Sequence, residues 1–480
     1  METFITSANR GSISTGYDID NSVKLEDTNT EYLQRPASGS DGSRTTMTLS
    51  MWIKRTQPGN DHIFYSQGSH VRFRWKSSDY FSLRLANGHE FEHQARLFRD
   101  PAAWYHLVVA IDTTQGTASN RVKIYWNGEQ ETDLPDENNP PDQNEQLTLG
   151  QFSSVTTQLG WFVEGGYGLD GYIAEVNYID GIQQAPTEFG EFDEDTAIWK
   201  PIKYTGSYGN EGFYLNFDNS GSLGADSSGN GNNFNLNNVS SADQATDTPT
   251  NNFAIANPLL TVGGYMKPTE GGTKGVLSTA GPGNNTGGTS LVSTIPVSKG
   301  KWYFEAQNTN SGDVYLYLGV GDTGSINLWG IDGVKMTNQT TSTVAWRGGG
   351  ANDGKVYGRS AGTNYTDTNP VTWETEVVGL ALDLDNEKIY FHKSGTWINS
   401  GDPANGTDNN GQYDLVTGVD NQWLIAVSAY NLATWHINFG GYTTMTISSA
   451  ATDANGYGTF EYAPPSGYYA LCTKNLAEYG

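Results

Sequence analysis

Apolar and aromatic residues in this chain come in short runs that alternate with polar ones, each run ended by Gly, Asn or Asp. That parcelling is the strongest constraint on the fold, because runs of this length and period form strands and the residues between them form turns. With 17% charged residues against 58 Gly, 13 Trp, 27 Tyr and 18 Phe, there is little material for amphipathic helices and much for strands. The runs fall into two blocks. The first holds "MTLSMWIKR" (47–55), "HIFYSQG" (62–68), "VRFRWKSSDYFSLRLANG" (71–88), "WYHLVVAID" (104–112), "RVKIYWNGEQ" (121–130) and "LDGYIAEVNYIDG" (169–181). The second holds "GKWYFEAQ" (300–307), "VYLYLGVG" (314–321), "VVGLALDLDNEKIYFHKSG" (377–395), "WLIAVSAY" (423–430) and "TWHINFGG" (434–441).

Each block predicts an antiparallel β-sandwich, so the chain is expected to be all-β. Its 480 residues exceed one ordinary core of roughly 100–200 residues. The expected division is a sandwich over 1–205, an Asn/Asp/Gly-rich connecting segment over 206–260 and a second sandwich over 261–480. The blocks share a hairpin pattern. "HLVVAIDTTQGTASNRVKIYWNG" and "VVGLALDLDNEKIYFHKSG" each run from an apolar strand into Asp112 or Asp383, then through a polar turn into an alternating Lys-Ile-Tyr strand. A nearly continuous apolar strand is expected at the centre of a sheet.

Charge and cysteine content exclude several classes. A net charge of −26 would repel phosphate backbones and anionic lipids, so nucleic acid is not an expected partner. The single cysteine, Cys472, excludes an internal disulfide framework. No run approaches the ~20 apolar residues of a membrane span, and no signal peptide is expected from "METFITSANRGSISTGY".

The motifs "YLQRPASGSDGSRTTMTLSMWIKR", "FRDPAAWYHLVVAIDTTQGTASNRVKIYWNG" and "LDGYIAEVNYIDG" resemble the LamG-like, concanavalin A-like jelly roll over roughly residues 15–204. "GKWYFEAQ", "GLALDLDNEKIYFHKSG" and "INFGGY…PPSGYYALCT" resemble a SPRY domain over roughly 275–476. The tandem order is similar to virion structural proteins of tailed bacteriophages, tail-fibre and lectin-like proteins especially. That resemblance implies a virion component made in a bacterial host cytoplasm, with other virion proteins and a host surface glycan or protein as partners. By analogy with phage fibres it also implies a homo-oligomer, such as a trimer.

Candidate chemistry is sparse. "HEFEH", His89 to His93, matches the zinc-protease pattern, but that pattern needs a helix to bring its histidines to one face. On a strand they would stand about 13 Å apart at ~3.3 Å per residue. The jelly-roll resemblance suggests paired acids for glycoside hydrolysis. "EFGEFDED" (Glu188 to Asp195) reads as a surface loop, while Asp170 and Asp180 sit in Asp-Gly turns, leaving Glu175 alone on a strand. Cys472 lies in apolar "YYALCT", which favours a packing thiol, and the histidines have no G-x-S-x-G partner.

LamG-like sandwiches often hold Ca²⁺ at loop edges. The candidate ligands are Asp226 with Asn230 and Asn232, then Asp112 with Asn120, and Asp383 with Asp385 and Asn386. An EF-hand is excluded at Asp226 because Asn237 stands where its last acid belongs. For sugar binding, the turn-adjacent aromatic residues are Trp329, Trp346, Trp397 and Tyr430, the last with Asn431. The expected function is therefore non-enzymatic: adhesion to a host receptor, with capsid decoration or docking as the alternative and a polysaccharide depolymerase as a remote one. No cofactor is expected beyond calcium.

Overall fold

The computed structural model describes residues 16–132, 139–260, 266–277, 289–311, 316–323, 343–348, 354–360, 363–366, 370–406, 411–415, 422–429 and 432–480. Its chain divides into two units, Met1–Asn252 and Phe253–Gly480. Among the described residues no helix is long and apolar enough to cross a membrane.

The first unit is two antiparallel sheets around one core. The first sheet runs Glu129–Gln130, Val122–Trp126, Trp104–Asp112, Thr46–Arg55, Gly171–Asp180, Ser22–Leu25, Gln244–Ala245, and Phe213–Leu215 also pairs with Gly171–Asp180. The second runs Asn235–Asn237, Tyr32–Arg35, Thr157–Leu159, His62–Gln67, Val71–Trp75, Phe81–Arg84, Glu90–His93. Period-two alternation aims Met47, Leu49, Met51 and Ile53 of the first sheet at Val71, Phe73, Trp75 and Leu83 of the second. Those side chains are wholly buried, or nearly so, in one continuous cluster.

The second unit is also built on two sheets. One runs Pro268–Thr269, Lys274–Leu277, Ala433–Asn438, Lys301–Asn308, Val377–Asp383, Lys388–Lys393, Thr396–Trp397. The other runs Thr289–Val292, Trp423–Ala429, Leu316–Asp322, Thr343–Gly348, Val356–Ser360, Thr363–Thr366. Among the described residues the expected antiparallel pattern has one exception, a parallel pairing of Trp302 and Tyr303 with Tyr469 and Ala470. Trp346 of one sheet lies 5.9 Å from Phe391 of the other, ring to ring, so aromatic side chains bridge the layers.

Both predicted hairpins form. Trp104–Asp112 and Val377–Asp383 each lie between two other strands of their sheet, as their apolar runs require. At the turns, Asp112 accepts from Thr114 N at 2.9 Å and Asp383 from Asn386 N at 3.0 Å.

The largest departure from the sequence expectation concerns residues 206–252, which complete the first sandwich. Phe213–Leu215, Asn235–Asn237 and Gln244–Ala245 add strands to its two sheets. Buried charge holds the segment down. Arg35 forms an ion pair with Glu211 and donates to Asn232 Oδ1 at 2.8 Å, while Lys54 Nζ reaches Asp247 at 2.7 Å. "DSSGNG" is accordingly a corner within this unit. Asp226 accepts from Tyr214 N, Ser228 N and Asn232 N at 2.8–2.9 Å, and Gly229 and Gly231 take φ of +93° and +78°.

Candidate functional site

The two sheets of the first unit present very different outward faces. In Thr46–Arg55 every residue after the first is buried, because residues 182–211 and 239–252 lie over the outward side. Beneath that cover, Trp52 stacks on His106 at 4.7 Å, and Trp199 stacks on the same ring at 6.0 Å. The second sheet keeps its alternation in Tyr32–Arg35, Val71–Trp75 and Glu90–His93, while His62–Gln67 and Thr157–Leu159 are buried throughout. Val71–Trp75 reads buried, half-buried, buried, half-buried, buried, so Arg72 and Arg74 stand on the side away from the core.

Strand register lines up a polar residue from each strand of that second sheet. Asn235 pairs with Gln34, Gln34 with Gln158, and Gln158 with Ser66. Ser66 pairs with Arg72, Arg72 with Arg84, and Arg84 with Glu90. Neighbouring strands lie about 4.8 Å apart, so the row is on the order of 30 Å long. It is hydrogen-bonded along its amide half: Gln158 Nε2 donates to Gln34 Oε1 at 3.1 Å, and Ser66 Oγ lies 3.2 Å from Gln158 Oε1. A parallel row carries Arg74, Ser82 and Glu92.

An aromatic hairpin flanks the row. Trp161–Phe162 pairs with Tyr167–Gly168, and Ser66 Oγ donates to the Trp161 carbonyl at 2.7 Å. Trp161 stacks on Tyr32 at 5.9 Å and 14°, and the Arg72 guanidinium lies 4.9 Å from the Phe162 ring centre. Tyr167 is 44% exposed and Val163 56%, which leaves part of the hairpin open to a ligand. Burial, then the neighbouring Arg74 and Arg84, pulls the Arg72 pKa down. Arg74 lies 3.8 Å from Glu90, beyond hydrogen-bonding reach. Ser66 and Gln158 are buried within this row, so what it presents outward is the Gln34 amide, guanidiniums and aromatic faces, groups that bind hydroxyl-rich or charged polar ligands.

Most residues singled out from sequence lie elsewhere. Trp346 is a correction: it is fully buried, and its Nε1 donates to the Gly354 and Val371 carbonyls at 3.0 Å, so it belongs to the second unit's core. Trp397 is half-buried and packs edge-on against His392 at 5.0 Å. Trp329, Tyr430 and Asn431 lie outside the described residues. Both carboxylate oxygens of Asp226 accept the corner's backbone amides. Asn230 Nδ2 and Asn232 Nδ2 both donate to the Gly212 carbonyl, so these three side chains serve the turn itself.

"HEFEH" is a strand, Glu90–His93, with its histidines in separate pairs: His89 with Glu145 at 3.0 Å and His93 with Glu131. Cys472 is fully buried.

Glu175 occupies a β-bulge where the pairing skips between Ala174 and Asn177, with φ of +52°. Tyr214 and Tyr17 hydroxyls donate to its Oε1 at 2.6 and 2.9 Å. Burial pushes the carboxyl up to about 7. It faces the covered side of the first sheet, across the sandwich from the polar row. On that covered side a buried Ser50–His106 pair mimics part of a nucleophilic triad. Trp199 Nε1 donates to His106 Nδ1 at 2.9 Å, so the ring proton of this neutral imidazole is on Nε2 and points at Ser50 Oγ. Such an imidazole cannot take the serine proton.

The polar row is the part sequence reading missed. Its signal was the polar half of "YLQR", "VRFRW" and "FSLRL", whose apolar half marked the strands.

Residues 27–182 match the Laminin_G_3 family, described as the Concanavalin A-like lectin/glucanases superfamily. The match ends before the strands supplied by residues 206–252. No curated protein sequence matches the chain. Among solved structures, the SPRY domain of human HERC1 is similar over 40% of this chain and 99% of its own, at 14% identity and a TM-score of 0.26. The TRIM65 PSpry domain is similar over 38% of this chain and 91% of its own, at 12% identity and a TM-score of 0.27. A Bacteroides ovatus protein named as a candidate carbohydrate-binding protein is similar over 46% of this chain, at 17% identity and a TM-score of 0.30. The chain spans 59% of that protein's length.

Proposed function

We propose that the first unit is a lectin-like module that binds a glycan along the outward face of its second sheet. The observation that carries this reading is the in-register row of amide, hydroxyl and guanidinium side chains beside the Trp161–Phe162 hairpin. Sugars need both kinds of surface, donors and acceptors for hydroxyls and aromatic faces for C–H-rich ring sides. The match of residues 27–182 to a lectin and glucanase family supports it. Binding without hydrolysis is favoured because Glu175, the strand acid that sequence offered, faces the opposite side of the sandwich.

The test is a glycan array followed by calorimetry on the full chain. Trp161→Ala and Gln34→Ala should each weaken sugar binding about tenfold or more, the loss of one good contact. Sugar binding that both variants leave unchanged would refute the assignment of the site.

The tandem motif order further supports a role on a phage particle, as a tail fibre or tail-associated host-attachment protein. Antibody labelling of intact particles should then decorate the tail. Labelling confined to heads would point to capsid decoration instead.

A further inference from the structure

We infer that the glycan bound on this face is anionic, its carboxylate or sulfate groups held by Arg72, Arg74 and Arg84; the inference rests on the glycan-binding reading above. Three arginines stand together here, with Glu90 across from Arg84 and Glu164 acting on Arg72 as the neighbouring acids. Arg72 and Arg84 are direct cross-strand partners, an arrangement in which like charges repel. Arg74 lies next but one to Arg72 on the same face of its strand. The chain as a whole carries 53 acidic and 27 basic residues, yet the acid nearest Arg74 here, Glu90, stays at 3.8 Å.

The guanidinium Nε atoms of Arg72 and Arg74 are buried and meet no hydrogen-bond acceptor among the described residues. Buried donors normally find partners, so the fold has built no full set of acceptors for these two guanidiniums, and it is the remainder of each half-buried side chain that a ligand oxygen would meet. Guanidinium also fits the chemistry, because its planar fork binds carboxylate and sulfate oxygens in pairs. The Phe162 ring, 4.9 Å from the Arg72 guanidinium carbon, packs against that fork. In the uncharged half of the row Ser66 and Gln158 are buried and bonded within the fold, so the half-buried Gln34 is the amide left for ring hydroxyls. A linear acidic polysaccharide satisfies both halves at once.

The experiment compares ligands that differ only in charge. Titration calorimetry on the full chain would use oligogalacturonate against its full methyl ester, and dextran sulfate against dextran. Expected are binding of at least one charged member over its neutral twin, weakening as salt rises. Arg72→Gln and Arg84→Gln should each lower affinity for the charged ligand about tenfold or more. Arg84→Lys, which keeps charge but loses the fork, should fall between. Carboxylate-only, sulfate-only or joint binding names the group and supports the inference. Neutral and charged twins binding equally, with no effect of salt, would overturn it while leaving the glycan-binding reading intact. Absence of binding to any sugar, charged or neutral, overturns both. Equal affinity for single-stranded DNA would overturn selection of a glycan by this cluster.

Discussion

The covered and open faces of the first unit are built from the same kind of strand, yet one has become interior and the other has stayed surface. On the covered face the even positions of Thr46–Arg55 after Thr46 are Thr48, Ser50, Trp52 and Lys54, all 3% exposed or less. Each polar one among them is answered: Thr48 Oγ1 donates to the Ile182 carbonyl, Ser50 meets His106, and Lys54 meets Asp247 and Asn252. On the open face, Arg72, Arg74 and Arg84 are half-buried, and the Nε atoms of Arg72 and Arg74 meet no acceptor among the described residues. Polar groups that the fold satisfies serve stability, whereas those it leaves unsatisfied are available to a ligand.

Substitutions on the two faces should therefore differ in what they damage. Asp247→Ala strands the buried Lys54 ammonium and removes the acceptor for Trp104 Nε1, 3.0 Å away. It should cost about 3–5 kcal/mol in denaturant unfolding. A loss below about 1 kcal/mol would show that the cover is not held by charge.

Glu175→Gln comes next. Its folded pKa of about 7 lies above the unfolded value of 4.5, so the protonated acid favours folding. That contribution is whole below pH 4.5 and is lost as pH rises through 7. Glutamine mimics the protonated acid at every pH. The variant should match the parent at pH 4.5 and exceed it at pH 8 by on the order of 3 kcal/mol at most. Parallel pH profiles for the two proteins would refute this.

Asp226→Ala removes the acceptor of three backbone amides at the corner, and should cost about 1–3 kcal/mol. Limited proteolysis should then cut first near 223–234. Smallest of all, Arg84→Gln should shift stability by less than about 0.5 kcal/mol while weakening acidic-glycan binding. A large stability loss there would erase the distinction between the faces.

Much of the fold was legible because its long strands announce themselves. "MTLSMWIKR" and "WYHLVVAID" are too apolar for anything but central strands, and both lie in the middle of their sheet. Strand geometry alone also separated His89 from His93. The strands within 206–252 escaped notice because they are two or three residues long, shorter than any period can reveal. Trp346 looked turn-adjacent because "GGG" follows it, although Trp373 fills the space beside Gly348 and seals the ring inside. The polar row was hidden for another reason. Each strand contributes one member, and only register, a long-range property, puts Gln34 beside Gln158 and Arg72 beside Arg84.

Closure of the first sheet sets a schedule for biosynthesis. Ser22–Leu25 emerges early, but its neighbours are Gly171–Asp180 and Gln244–Ala245. At roughly 5–20 residues per second, its second edge would wait about 10–40 s for a partner. A nascent strand left bare that long is a template for pairing with other chains. The late segment thus acts as a lock on a strand made about 220 residues before it, and a chain whose synthesis ended before Gln244 would carry that edge unguarded.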